Sequence, residues 1–323
     1  MWAWDLADAR PRGFHSTPVC GAFGAAAAAA RVLGLSADQV EHAFGIVLSE
    51  TSGNMQFHSN GAWTKRSQIG MPVPADSRLR SSRGTRTPVP RPLWRAAMAS
   101  TNLYAEQPRP DLVLGGLGTD WQVMQIAFKP HAACRGTHAA IDAAVALREE
   151  EGLSFEDIDH VAVGLQREPL DLIQLLAEPE DRKRNPITTV DGQFSIHFCV
   201  AVALRLGRLA WDDYRTQFWN AEVRALMQRT TVFHDTRLVP LRPGSATGSV
   251  RVWLRDGRTF ERVVNVPRGE PENMLTEDEL RVKYASLVCD YLGSEGEARL
   301  FETAMQIDQQ ASLSELFAHA RPA

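Results

Sequence analysis

Along residues 14–54 the apolar positions recur at helical spacing and predict two helices. Thr17-Pro18 supplies an N-cap followed by proline at the first helical position. Six consecutive alanines, Ala25–Ala30, favour helix and permit close approach of a neighbour; Gly34 marks the stop. Ser36-Ala-Asp-Gln39 is a capping-box pattern, and Val40, Ala43, Phe44, Val47 and Leu48 form the apolar stripe of the helix it opens. Downstream, Trp121–Phe128 reads as a strand. Gly136–Leu153 reads as an amphipathic helix with Thr137 as its cap and Gly152 after its end. His160–Leu165 alternates like a half-buried strand, Phe194–Leu206 is an apolar helix, Glu222–Gln228 a short helix and Thr230–Phe233 a short strand. Asp256-Gly257 between two alternating runs, Ser249–Arg255 and Arg258–Val266, is a hairpin signal. Residues 275–320 return to helix, ending with Ser312–His319. Helices, then a mixed region with an antiparallel sheet, then helices: this order is α+β, not a regular βαβα chain.

Composition narrows the class without naming a function. The chain has 323 residues, 44% apolar and 23% charged, with a net charge of −4. These values exclude a disordered, collagen-like or disulfide-stapled chain and leave room for about two domains. The mildly acidic balance argues against nucleic-acid and membrane-surface partners. Cys20, Cys134, Cys199 and Cys289 form no CxxC pair and read as reduced thiols of a cytoplasmic-type compartment. No signal-peptide pattern opens the chain, and the alanine run is too short to span a bilayer. Residues 71–102 stand apart. They hold five prolines and six arginines against one acidic residue, Asp76, a local charge of +5, so the remainder carries −9. Such proline density excludes a helix and a central strand. A solvated linker is the plain reading of this stretch; a basic arm for RNA or anionic lipid lacks the interleaved aromatics it would need.

No dinucleotide-binding glycine motif, Walker loop or nucleophile elbow is present. Two regions are dense in chemically active residue types. The first is Gly13-Phe-His-Ser-Thr-Pro18 with Met55-Gln-Phe-His58 and Gly61-Ala-Trp-Thr-Lys-Arg66; the second is Phe128-Lys-Pro-His-Ala-Ala-Cys-Arg-Gly-Thr-His138. Taken together with the alanine-rich run, these segments resemble the MmgE/PrpD family over residues 12–70 and about 103–310. That family includes 2-methylcitrate dehydratase, cis-aconitate decarboxylase and iminodisuccinate epimerase. The resemblance implies a helical domain built from residues 1–122 and returning segments 269–323, with a smaller α+β lid at 123–268 and an active site in the cleft between. It also implies a cytoplasmic homodimer that uses neither metal nor nicotinamide.

The chemistry shared by the family is proton movement at carbon next to a carboxylate, on substrates with two or three carboxylates. A site for it needs several fixed cations and a base that works near neutral pH. By the resemblance, His15 and Lys65 are the catalytic candidates. Met55, Lys129, Cys134, Arg135 and His138 are the substrate-binding candidates, with His58 a further pocket wall. Each has a plainer alternative. His15 can be a loop histidine at a helix start, Lys65 a solvated lysine, Met55 core, and Lys129 and Arg135 surface charge. Cys134 can be a buried thiol, and His138 a structural residue opening its helix. His131, Cys134 and His138 have loose zinc-ligand spacing, and Cys134 with a histidine base has the makings of a nucleophile; both rank below the family reading.

Three departures from the family pattern set further expectations. The chain starts almost at Gly-Phe-His, where the family carries earlier helices, so it reads as N-terminally truncated. Residues 71–102 replace an expected alanine-rich helix and look like translation out of frame, with a genuine linker as the alternative. Phe198 stands where many members have tyrosine. The reaction most familiar in the family, dehydration of a 2-methylcitrate-type substrate, is the favoured activity. Epimerisation, decarboxylation and a non-catalytic remnant that self-associates through unburied apolar surface are the alternatives.

Overall fold

The computed structural model describes residues 13–57, 61–70, 104, 115–167, 170, 183–241 and 245–321. The proline- and arginine-rich stretch at 71–102 and His58 lie outside the described residues. The chain divides into two compact units, residues 1–121 and 122–323.

In the first unit α1 (Ser16–Val32) and α2 (Ala37–Glu50) pack side by side, and α3 (Thr64–Gly70) lies against α1. The capping box forms as the sequence predicts: Ser36 Oγ accepts the Gln39 N–H, and the Gln39 side chain accepts the Ser36 N–H at 2.9 Å. Gly34 adopts φ +64° beyond the end of α1, a conformation that suits glycine. The start of α1 differs from expectation. His15, not Thr17, holds the cap position, in extended backbone and without a side-chain cap bond. Its N–H is committed elsewhere, to Gly53 O at 3.0 Å. Pro18 therefore falls inside the first turn, where no helical N–H is needed. Ala22, Ala26 and Ala30 are buried at four-residue spacing, so the small side chains bring α1 close to its neighbours.

The second unit is built on a four-stranded sheet in the order β2-β1-β3-β4, with β1 at Ile158–Leu165, β2 at Thr230–His234, β3 at Gly248–Leu254 and β4 at Thr259–Val264. The expected antiparallel sheet is in fact mixed. β1–β3 and β3–β4 pair antiparallel, but β1–β2 pair parallel with Val161 opposite Thr230. A parallel pair needs a long crossover, and residues 166–229, which carry several helices, provide it. The Asp256-Gly257 hairpin forms, with Gly257 at φ +89°. The α+β class stands.

One face of the sheet is covered by helices and the other carries charge. Val161, Val163 and Leu165 of β1 and Val250, Val252 and Leu254 of β3 point into the core. There they meet α4 (His138–Glu150), α6 (Ile196–Leu206) and α8 (Ala221–Gln228), while α5 (Thr189–Gln193) precedes α6 and α7 (Asp213–Thr216) follows it. Gly248 permits the close fit of α4: a Cβ there would stand 3.0 Å from the Ala140 nitrogen. On the opposite face His160 stacks on its cross-strand partner Trp253, and Arg251 and Arg237 share Glu261. Trp121–Phe128 is not a strand. Residues 122–125 form a 3₁₀ turn with Val123, Met124 and Ile126 exposed, and the Phe128 N–H donates to Gly269 O at 2.8 Å. Part of its backbone is satisfied within the turn, by the Ile126 N–H to Val123 O at 3.2 Å, and part by the distant Gly269 rather than by a strand. The C-terminal helices α9 (Glu277–Met305), bent at Gly293, and α10 (Ser314–His319) close the unit. No helix among the described residues is long and apolar enough to cross a membrane.

His197, on α6, is buried, and neither ring nitrogen has a hydrogen-bond partner among the described residues. Burial, helped by the charge of Arg184, pushes its pKa down from 6.5 to about 4. Below pH 6.5 the unfolded chain therefore takes up a proton that the folded chain refuses until about pH 4. Its neutral form supports folding above the unfolded value, and that support drains away as pH falls through this window. His197→Leu is expected to flatten the acid limb of stability by roughly 3 kcal/mol between pH 7 and pH 4. Urea unfolding at the two pH values checks it; equal acid sensitivity of variant and parent would contradict the assignment.

Candidate functional site

The candidate residues fall into two groups, one in each unit. In the first unit, residues 13–15 run antiparallel to 53–55. His15 N–H donates to Gly53 O at 3.0 Å, Met55 N–H to Gly13 O at 2.9 Å, and Phe14 bridges to Asn54. This short ladder sets His15 at the mouth of α1. Its ring is buried, edge-on to Phe57 at 5.2 Å, and its Nδ1 lies 2.9 Å from Gln68 Oε1. Met55 is buried beside the same ladder. Gly53 is required here: at φ +151° a Cβ would meet Pro18 Cγ at 2.5 Å and the His15 carbonyl at 3.3 Å. Lys65 is half-buried on α3, one turn before Gln68, while Arg66 turns to stack over Trp63 at 4.1 Å. Thus His15 and the helix bearing Lys65 are joined through Gln68.

In the second unit Lys129, Cys134, Arg135 and His138 lie on one loop that runs into α4. Lys129 Nζ donates to Ala133 O at 3.1 Å, and Lys283 of α9 reaches the Lys129 carbonyl. Arg135 pairs with Glu270, whose carboxylate is 1% exposed. Cys134 is buried; its N–H donates to Gln193 O at 2.8 Å. Beneath it Cys199 is fully buried, and burial with the nearby Cys134 pushes its thiol up to about 12, which keeps it protonated and inert. His138 is buried at the helix start with Nε2 3.4 Å from Ala133 O. Burial, then the charges of His131 and Lys129, hold its pKa well below 6.5, so the ring is neutral near pH 7. Thr137 holds the cap position of α4 as expected, but without a side-chain cap bond. Its hydroxyl donates to Cys134 O at 2.7 Å and closes the 3₁₀ turn at 135–137 instead.

The zinc alternative finds no support in this geometry. His131 Nε2 is held by Asp142 Oδ1 at 2.7 Å, and His138 is directed to a carbonyl. Among the described residues no three histidine, cysteine or carboxylate groups are arranged for a metal ion. All four cysteines are free thiols.

The segments carrying these residues match known domains. Residues 131–309 match the MmgE/PrpD C-terminal domain, and residues 3–75 match the MmgE/PrpD N-terminal domain.

The chain belongs to the MmgE/PrpD family.

Three relatives in this family are similar over nearly the whole chain. A cis-aconitate decarboxylase-like protein, oryM, of Aspergillus oryzae is 30% identical over 97% of this chain and 66% of its own length. Two cis-aconitate decarboxylase sequences of Aspergillus terreus are 24% and 25% identical over 94% of this chain and 64% of theirs. The chain thus spans about two thirds of the length of these MmgE/PrpD relatives.

Three residues of this MmgE/PrpD chain were not legible as site residues in its sequence. Gln68 closes three residues beyond the Trp-Thr-Lys motif and carries no signature of its own. Asp142 reads as the polar face of α4, yet its two oxygens take His131 and the Arg268 N–H, the latter at 2.7 Å. Glu270 sits in a loop after the hairpin and is a buried carboxylate only because the chain returns to Arg135. Phe198 is fully buried against Tyr214 and Phe218.

Proposed function

We propose that this chain acts as a lyase on a small polycarboxylate, and that its reaction is decarboxylation of a cis-aconitate-type tricarboxylate. The observation that carries the reaction is the similarity to three relatives bearing decarboxylase names. It moves the choice away from 2-methylcitrate dehydration, which the sequence favoured on familiarity alone.

The bond between a substrate carbon and one carboxylate carbon breaks, and carbon dioxide leaves. The electron pair stays on carbon, delocalised through the adjacent double bond and carboxylate. A proton from an acid then adds, giving a dicarboxylate one carbon shorter. Such a reaction needs cations on the retained carboxylates, an environment poor in charge around the departing one, and a proton donor at the carbanion. Lys65 supplies a cation or an acid, and the buried His15 supplies an imidazole in a low-dielectric setting. In the second unit Arg135 and Lys129 are further cations, each already tied to the protein through Glu270 and Ala133 O. Those ties fix their place rather than leave them loose.

The test is product analysis of cis-aconitate and 2-methylcitrate incubations in D₂O by NMR, with carbon dioxide measured in parallel. The proposal expects carbon dioxide and a product carrying one deuterium from cis-aconitate. Water loss from 2-methylcitrate without carbon dioxide would transfer the protein to the dehydratases. No turnover of either by the folded chain would support the non-catalytic alternative.

A further inference from the structure

One carboxylate of the second unit holds two loops at once. Asp142 lies on α4 one turn beyond His138, between Ile141 and Ala143, which are fully buried, so its backbone is fixed in the core. Its Oδ1 lies 2.7 Å from His131 Nε2, and its Oδ2 accepts the Arg268 N–H at 2.7 Å. Each held residue stands two positions from a charged one: His131 follows Lys129, and Arg268 precedes Glu270, the partner of Arg135. The loops also meet directly. The Phe128 N–H donates to Gly269 O at 2.8 Å, and at φ +86° a Cβ on Gly269 would collide with the Phe128 carbonyl. These contacts join the loops to one another; Asp142 ties both to the helix.

We infer that Asp142 is a positioning residue, which by clamping both loops onto α4 sets where the charges of Lys129 and Arg135 stand relative to a substrate carboxylate. The clamp follows from geometry; its role toward substrate rests on the proposed lyase reading. The return loop has its own bracing, so one anchor places all of it. Arg268 Nη1 donates to Asn273 Oδ1 at 2.7 Å, the Gly269 N–H to Asn273 O at 2.8 Å and Asn273 Nδ2 to Val266 O at 3.0 Å. A hold on the Arg268 N–H is therefore a hold on Glu270 and, through the ion pair, on the Arg135 guanidinium. The hydrogens are also assigned. A carboxylate only accepts, so Asp142 takes one hydrogen from the Arg268 N–H and another from His131 Nε2. An asparagine can keep both links: its oxygen accepts the Arg268 N–H, and its NH₂ donates to a bare Nε2 once the ring hydrogen has moved to Nδ1. Alanine keeps neither.

The experiment compares Asp142→Ala and Asp142→Asn with the parent full chain by amide hydrogen exchange, ¹⁵N NMR of labelled histidine and kinetics on cis-aconitate. Alanine is expected to speed exchange of the Arg268 amide about tenfold and to raise KM about tenfold with kcat within about threefold, the pattern of lost binding rather than lost chemistry. Asparagine is expected to hold both exchange and KM within about threefold of the parent, because it keeps both links. It is also expected to move the His131 hydrogen from Nε2 to Nδ1 at pH values where the ring is neutral, a change that general weakening of the fold does not produce. An Arg268 amide that exchanges at the parent rate in Asp142→Ala overturns the clamp. Faster exchange with an unchanged KM in that variant overturns the positioning role, as does a KM rise in Asp142→Asn equal to that of alanine. If Asp142→Ala does not fold, the exchange, tautomer and KM of Asp142→Asn decide, and a ring that is still Nε2–H there overturns the inference. A parent that turns over no polycarboxylate overturns the lyase reading and, with it, the substrate half of the inference, while exchange and tautomer still judge the clamp.

Discussion

Replacing His15 by glutamine is expected to lower kcat/KM for decarboxylation by about 10²–10⁴, the usual contribution of a positioned acid or base. The size follows from where His15 sits. Its ring is buried, so no bulk water replaces it as a proton donor at the same point. Its Nδ1 is engaged by Gln68, which fixes the direction of the ring. Glutamine preserves bulk and some hydrogen bonding, which separates chemistry from packing. Steady-state kinetics on cis-aconitate, with thermal unfolding as the control for structure, makes the measurement. A loss below tenfold in a variant that unfolds at the parent temperature would remove His15 from the proton-transfer role and pass that role to Lys65.

The second large effect lies in the core of the other unit. Phe198→Ala is expected to destabilise the fold by about 3–5 kcal/mol. Phe198 is fully buried on α6, with Tyr214 at 5.3 Å and Phe218 at 5.5 Å between ring centroids. Truncation removes the transfer free energy of the ring and leaves a void among side chains anchored by their own bonds. Tyr214 is tied by its hydroxyl to Ala132 O at 2.9 Å, and Gly192 leaves no spare space, since a Cβ there would meet Phe218 at 2.9 Å. The neighbours are thus poorly placed to collapse inward. Urea unfolding gives the free energy; a cost under about 1.5 kcal/mol, typical of volume-conserving changes, would show that this cluster relaxes freely. The same cluster backs the loop holding Ala132 and Cys134, so the variant also probes how the substrate-binding candidates are supported.

Local hydrogen bonding made much of the fold readable. The Ser36–Gln39 box, the Asp256-Gly257 turn, the Gly34 stop and the apolar helix ending at Leu206 each depend on contacts within a few residues, which the order of side chains specifies directly. Where the reading failed, a distant partner was decisive. Thr17 gave up the cap because the His15 backbone pairs with Gly53, 38 positions away. Trp121–Phe128 has strand composition but no strand beside it among the described residues, so its apolar side chains do not make it one. β2 pairs parallel to β1 because the helices of 166–229 carry the chain across the sheet, a matter of topology that alternation does not encode.

The candidate site divides in the same way. The sequence, through its resemblance to the MmgE/PrpD family, nominated the candidates: a histidine after Gly-Phe, a lysine after Trp-Thr, and the Lys129–His138 segment, because a motif is a local property of the chain. Tertiary structure alone decided their states. His15 Nδ1 is met by Gln68, 53 residues on; Arg135 is tied to Glu270 after a return of 135 residues; His131 is held by Asp142; and burial keeps His138 neutral. Proton position and charge depend on which dipoles and which solvent surround a group. Those surroundings exist only once the chain has folded.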